Sequence, residues 1–225
     1  MAIAVKICGV TRPDDAVMAA EAGAHAIGLN FFAGPRRISV AHGREILLAI
    51  PAGVTPVALT ARNLAAFPEA PGVGELLAAH LPRLRTFQIY GAYAPEAASG
   101  SGPVFIWPVR RVDSRAALSE ALRGVRRFPA PPAAVVIDAA VPHALGGVGA
   151  SFDWHWIEQA REAGELEGLP PMVLAGGLTP ENVAEAVRIV RPWAVDVSSG
   201  VEVAGKPGVK DPVKMRDFIQ AAKSV

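Results

Sequence analysis

The chain has 225 residues, 51% of them apolar, with 22 basic side chains against 21 acidic ones and a formal net charge of +1. That balance gives no electrostatic case for nucleic acid or an anionic membrane surface as a partner, and no apolar run reaches the roughly 20 residues a bilayer-crossing helix needs. A single cysteine, and an N-terminus without a basic stretch leading into a long apolar one, set the expectation of a cytoplasmic protein.

Apolar runs alternate with helical patterns along the whole chain. Residues 4–10 predict a strand, and 13–22 a helix that begins on Pro13 and stops at Gly23. A second strand is expected over 26–32, followed by a helix capped by Ser39 and running to about residue 49. The third strand is 55–61, with a weaker helix over 73–81. The fourth is 86–90, with a poorly signalled helix around 95–98.

The second half repeats the pattern. Strands are expected over 104–109, 134–139, 172–175 and 194–198, and helices over 114–122, 154–163, 180–190 and 212–222. A glycine-rich loop lies at 145–150, and Thr179 is the expected cap of the helix that opens on Pro180. Eight strand–helix units without a linker imply a parallel sheet with crossover helices. The expected fold is therefore one α/β domain over 1–225, a (β/α)8 TIM barrel. A doubly wound open sheet is the competitor, but no Gly-x-Gly-x-x-Gly follows the first strand to support dinucleotide binding.

Strand C-terminal ends are where such folds gather chemistry. Cys8 sits at one, before Gly9. It is either a small inert core residue or a reactive thiol. Lys6, two residues earlier, shares its face and would favour the thiolate. Asp138 ends the sixth strand and reads either as a turn cap or as a functional carboxyl. Asp196 lies on strand eight, which neighbours strand one in a closed barrel, so it is expected to pair with Lys6 and support the site.

Gly176 and Gly177 after strand seven, and Ser199 and Gly200 after strand eight, suit a phosphate, because glycine lets backbone N–H groups approach an anion closely. Gly147 belongs to a third such segment. Arg36 and Arg37 follow strand two, where a planar fork could grip a carboxylate or simply be solvated. The five histidines, His143 among them, show no metal-ligand spacing. Trp154 and Trp156 read as packing residues.

Taken together, several segments resemble phosphoribosylanthranilate isomerases of tryptophan biosynthesis: Lys-Ile-Cys-Gly-Val-Thr-Arg-Pro-Asp-Asp-Ala from Lys6, Gly-Pro-Arg-Arg-Ile-Ser, Ile-Asp-Ala with Gly-Gly-Val-Gly-Ala-Ser-Phe-Asp-Trp, Leu-Ala-Gly-Gly-Leu-Thr-Pro-Glu-Asn-Val, and Asp-Val-Ser-Ser-Gly-Val-Glu with Gly-Val-Lys-Asp-Pro. They run in order from residue 6 to about 212. The resemblance implies a (β/α)8 barrel performing an Amadori rearrangement of N-(5-phosphoribosyl)anthranilate, with Cys8 as general base and Asp138 as general acid. It also implies a small phosphorylated substrate held at Gly147, Gly176, Gly177, Ser199 and Gly200, Arg36 on the anthranilate carboxylate, no cofactor or metal, and a monomer or homodimer.

The sequence departs from the family pattern in three places. Gln88-Ile89-Tyr90-Gly91 stands where Gln-Leu-His-Gly is usual, so Tyr90 replaces a histidine. Strand three, ending Thr60-Ala61-Arg62-Asn63, lacks the usual phenylalanine, and Val148 stands where Thr or Ser is usual. The aromatic-binding side of the pocket is thus altered. A paralogue acting on another phosphosugar, or a non-catalytic phosphate binder, are the other readings of such a chain. Retention of both Cys8 and Asp138 speaks against the binder.

Overall fold

The computed structural model describes residues 3–61, 71–81, 83–91, 103–139 and 152–225. The helix expected at 95–98, the loop at 145–150 with Gly147 and Val148, and Arg62, Asn63 and His143 lie outside these residues.

Eight parallel strands close into a barrel in sequence order. They are β1 (Ala4–Cys8), β2 (Ala26–Asn30), β3 (Thr55–Ala61), β4 (Thr86–Tyr90), β5 (Phe105–Val112), β6 (Val135–Ala139), β7 (Met172–Leu174) and β8 (Ala194–Val197). The described helices are α1 (Pro13–Glu21), α2 (Val40–Ala49), α3 (Val73–Ala78), α4 (Arg115–Arg126), α5 (His155–Glu162), α6 (Val183–Val190) and α7 (Pro212–Lys223). The open-sheet alternative is excluded by the pairing of β1 with β8, which sets Lys6 against Asp196.

The strands read as nearly continuous apolar runs because both of their faces are covered. One set of side chains, including Val57, Trp107, Val109, Val136, Val173 and Ala194, fills the barrel interior. The alternate set, including Ile7, Ile27, Phe87, Ile137 and Val195, packs outward with Ile46, Leu118, Ile157 and Phe218 of the helices. Trp154 and Trp156 pack on this outer layer, as packing residues should.

Caps follow local chemistry. Ser39 and Ser114 each accept a backbone N–H three residues on, from His42 and Ala117. Asp211 accepts from both Val213 and Lys214 at the start of α7. The helix expected from Pro180 instead begins at Val183. Thr179 is not its cap: the Thr179 N–H donates to Asn182 Oδ1, and the Asn182 amide donates back to the Gly177 carbonyl. Residues 180–182 are thereby drawn into the turn after β7. Strand β5 runs three residues past its expected end, because Arg110, Arg111 and Val112 continue the ladder with β6 opposite Ile137, Asp138 and Ala139, and the Arg110 guanidinium lies over the Phe128 ring at 4.9 Å.

Candidate active site

The C-terminal ends of the strands surround one cleft of about 640 Å³, its open mouth included. Cys8, Tyr90, Asp138 and Asp196 line it from β1, β4, β6 and β8, with Arg36, Gly176, Gly177 and Ser199 from the following loops. Candidates scattered over nearly 200 residues of sequence are thus brought to one mouth.

Cys8 is buried, and so is Lys6 below it. Lys6 Nζ donates to Asp196 Oδ2 at 2.7 Å across the barrel seam. Gly28 on β2 stands in register with Cys8. A Cβ there would lie 2.8 Å from Cys8 Sγ and 3.0 Å from Lys6 Nζ, so only glycine leaves room for the pair. Burial works against the Lys6 charge, but Asp196 and the thiol outweigh it and hold its pKa above the ordinary value. The thiol departs from expectation. Burial, aided by the Asp196 charge, pushes Cys8 up, and Lys6 only partly offsets this. This balance favours the thiol over the thiolate.

Asp138 is buried at the end of β6 and opens on the cleft. Burial first, and the Asp196 charge second, raise its pKa to about 6, with Arg111 opposing. A carboxyl so placed keeps its proton closer to neutrality than an ordinary aspartate, which suits an acid catalyst. Gly176 makes this geometry possible. Its φ is +90°, and an added Cβ would sit 2.5 Å from the Ala139 nitrogen and 2.9 Å from Asp138 Oδ1.

On the β2–β4 side, Tyr90 faces Phe32, with ring centroids 4.9 Å apart at a 31° tilt. Burial keeps the Tyr90 hydroxyl neutral, and Gln88 Nε2 donates to it at 3.5 Å. Two buried acceptors lining the cleft, Gln88 Oε1 and Asp196 Oδ1, have no partner among the described residues. Asn30 shapes the following loop, accepting from the Phe32 N–H and donating to the Ala33 carbonyl.

Arg36 reaches the cleft from the β2–α2 loop, but not as a free cation. Its Nε and Nη2 donate to Glu202 Oε1 and Oε2 at 2.7 and 2.6 Å. Gly176, Gly177 and Ser199 line the mouth, whereas Gly200 sits behind it. A Cβ on Gly200 would lie 2.0 Å from the Leu178 carbonyl oxygen, so this glycine joins the β7 and β8 loops. Ser199 and Gly200 open a 3-10 turn (Ser199–Val201), whose first N–H groups have no acceptor within it. Among the described residues no cluster of three His, Cys, Asp or Glu could hold a metal ion.

Residues 78–221 match the family model for N-(5'-phosphoribosyl)anthranilate (PRA) isomerase. The N-(5'-phosphoribosyl)anthranilate isomerase of Pseudomonas paraeruginosa is 40% identical, over 99% of this chain and 96% of its own length. The chain belongs to the phosphoribosylanthranilate isomerase family. Its fold superposes on the crystal structure of that enzyme from Thermotoga maritima with a TM-score of 0.75 and 29% identity, over 99% of this chain and 100% of that one. A family structure in complex with reduced 1-(o-carboxyphenylamino)-1-deoxyribulose 5-phosphate matches with a TM-score of 0.72 and 28% identity, again over 99% and 100%.

Several other residues at or behind the cleft give no sign of their part in it from the sequence. Phe32 reads as the end of the second strand, and Gln88 as the interior of the fourth. Glu202 and Lys210, behind the cleft, fall in segments shared with the family, but their spacing of eight residues does not show that they meet. Gly28 did leave a trace: a glycine inside an apolar strand marks the close approach of other atoms.

Proposed function

We propose that this family member isomerises N-(5-phosphoribosyl)anthranilate to 1-(2-carboxyphenylamino)-1-deoxyribulose 5-phosphate in this cleft, with Asp138 as general acid and Cys8 as general base. The observation that carries the assignment is the opening of a buried thiol and a carboxyl of raised pKa into one cleft that glycine-rich loops also border. Asp138 protonates the furanose ring oxygen, the C1–O bond breaks, and the anthranilate nitrogen supplies the electrons that form a cationic Schiff base. Cys8, acting as the thiolate once its own proton has passed to solvent, then takes the proton from C2. The C–H electrons become the C1–C2 double bond, and the Schiff-base nitrogen regains its lone pair. The resulting enolamine tautomerises to the ketone, with C1 gaining a proton and the C2 hydroxyl losing one.

The raised pKa of Cys8 fits this order of events. A thiol that stays protonated in the empty cleft is inert to adventitious chemistry. The Schiff-base cation formed beside it favours the thiolate when the thiolate is needed. The substrate's phosphate would meet the backbone of Gly176, Gly177 and Ser199, with Gly200 keeping the two loops together. Arg36 would take the anthranilate carboxylate, and the Phe32–Tyr90 pair would face its ring. A catalytic thiol suits the reducing cytoplasm.

Complementation of a tryptophan auxotroph lacking this isomerase tests the reading. The wild-type chain should restore growth, and Cys8→Ser and Asp138→Asn should not. A folded, expressed wild-type chain that fails to complement would remove it.

A further inference from the structure

We propose that Glu202 is a positioning residue for the substrate's carboxylate: it holds the Arg36 guanidinium by one edge and so presents the other edge to the ligand. The inference rests on the isomerase reading above and adds a residue that does not itself line the cleft.

A guanidinium has two edges that can each grip a carboxylate with parallel hydrogen bonds. Glu202 occupies one of them, Nε and Nη2. Nη1 is left for a ligand, together with the second hydrogen of Nη2. Arg36 alone would be a long, flexible side chain on a loop, and its guanidinium would have to be ordered at each binding event. Fixed by Glu202, it is ordered in advance. Its side chain is only 13% exposed, and that of Glu202 only 6%.

Glu202 is itself held firmly. Its Oε1 also accepts from Lys210 Nζ at 2.9 Å and from the Gly208 N–H at 2.9 Å. Lys210 Nζ donates further to the Ser198 carbonyl, and Lys214 Nζ to the Glu202 carbonyl. The backbones of Glu202 and Lys210 form an antiparallel bridge. Burial works against the Glu202 charge, but Arg36 and Lys210 together keep its carboxyl below the ordinary glutamate range. One carboxylate therefore ties the β2–α2 loop to the segment between β8 and α7.

The charges give a second reason. Arg36 and Lys210 against Glu202 leave one positive charge in a largely buried cluster, and the adjoining Lys214 and buried Asp15, whose Oδ2 accepts from the Lys210 N–H, offset each other. Such an excess is costly until an anion arrives, and the open edge of Arg36 is where it can arrive. The fork geometry favours a planar carboxylate, and the nearby Phe32–Tyr90 pair favours one carried on an aromatic ring.

The test compares two ligands on purified wild type, Glu202→Gln and Glu202→Asp: the reduced carboxyphenylamino-deoxyribulose 5-phosphate, and the same molecule lacking its carboxyl group. Glu202→Gln removes the charge and turns an N–H donor toward Arg36. It should weaken the carboxylated ligand about tenfold or more and leave the other within about twofold. Glu202→Asp keeps the charge but is one methylene too short for the same grip. It should show a smaller loss, again confined to the carboxylated ligand, and it carries the test if Glu202→Gln does not fold. Equal losses for both ligands, or no loss for either, overturn the proposal. Failure of the underlying reading shows separately, as a wild-type protein without turnover on N-(5-phosphoribosyl)anthranilate.

Discussion

Lys6 and Asp196 meet across the seam that closes the barrel, Nζ to Oδ2 at 2.7 Å, and both act on the thiol of Cys8. The pair is buried on both sides, so it is weak evidence for stability in itself. Its consequence lies in the division of one ammonium between the Asp196 carboxylate and the Cys8 sulfur. Asp196 draws on the Lys6 charge and adds its own repulsion to that of burial, and the thiol stays protonated.

Removing the Asp196 charge should therefore make Cys8 more acidic. In Asp196→Asn the raising influence of the carboxylate disappears and Lys6 is left to the sulfur. Cys8 is the chain's only cysteine, so the rate of iodoacetamide alkylation as a function of pH reads this one group. The profile of Asp196→Asn should lie at lower pH than the wild type, with faster alkylation at pH 7.5. An unmoved profile would show that Asp196 has no influence on the thiol.

Asp138 should be a residue the fold would rather lack. Its pKa rises from 3.8 to about 6 in the folded chain. The folded state thus holds the proton more tightly than the unfolded state, and stability falls as pH rises from about 4 through 6. At pH 7 the difference amounts to about 3 kcal/mol of destabilisation, an upper figure for a buried group. Asp138→Asn should therefore unfold at higher denaturant concentration than wild type at pH 7.5, with the gap narrowing at pH 4, while turnover is lost. A variant that is less stable at both pH values would contradict the assignment.

The same two groups set the activity profile. The working form needs Asp138 protonated and Cys8 ionised, although Asp138 is the stronger acid of the two. The populations of the two required states then change in opposite directions and their product stays level between the two pKa values. The expected kcat/KM profile rises to about pH 6, stays flat through neutrality, and falls only in the alkaline range above the ordinary thiol value. A profile level below pH 6 and declining above it would mean that an ionised Cys8 is not required.

Tyr90 stands where the family pattern carries histidine, and its chemistry can be separated from its bulk. The hydroxyl is neutral and, among the described residues, held only by a long contact from Gln88, whereas the ring pairs with Phe32. Tyr90→Phe should leave kcat within about twofold, and Tyr90→Ala should raise KM about tenfold by removing the ring that packs on the ligand. Steady-state kinetics decide it. A large loss of kcat in Tyr90→Phe would assign the hydroxyl a part in the proton transfers.

What the sequence disclosed and what it withheld divide along physical lines. Alternation by two along β1 placed Lys6 with Cys8, and closure of eight strands placed Asp196 beside them, so that pair was legible before any coordinates. Asp138 was legible as a residue of the cleft because a carboxyl at the end of an apolar strand is costly without a purpose. The start of α6 was misplaced because Thr-Pro resembles a cap, and only the fold shows Asn182 taking the Thr179 N–H. The protonation of Cys8 was misjudged because proximity of Lys6 is visible in a sequence and the depth of burial is not. Glu202 stands in a segment shared with the family, but its role was hidden for a similar reason: its partners Arg36 and Lys210 come from loops whose meeting only the closed barrel determines.

Gly176 tests whether the glycines at the mouth serve the acid as well as the phosphate. Its φ of +90° strains any other residue, and a Cβ would press on the Ala139 nitrogen at 2.5 Å and on Asp138 Oδ1 at 2.9 Å. Gly168 has a similar φ of +70° with nothing within 4 Å, so Gly168→Ala carries the backbone strain without the displacement. Both alanine variants should lose about 1–2 kcal/mol of stability from the left-handed backbone. Only Gly176→Ala should also lose activity, by about a hundredfold in kcat, because a shift of the order of 1 Å in a catalytic group costs that much. Full kcat in Gly176→Ala, at a stability matching that of Gly168→Ala, would show that Asp138 does not depend on the empty space beside it.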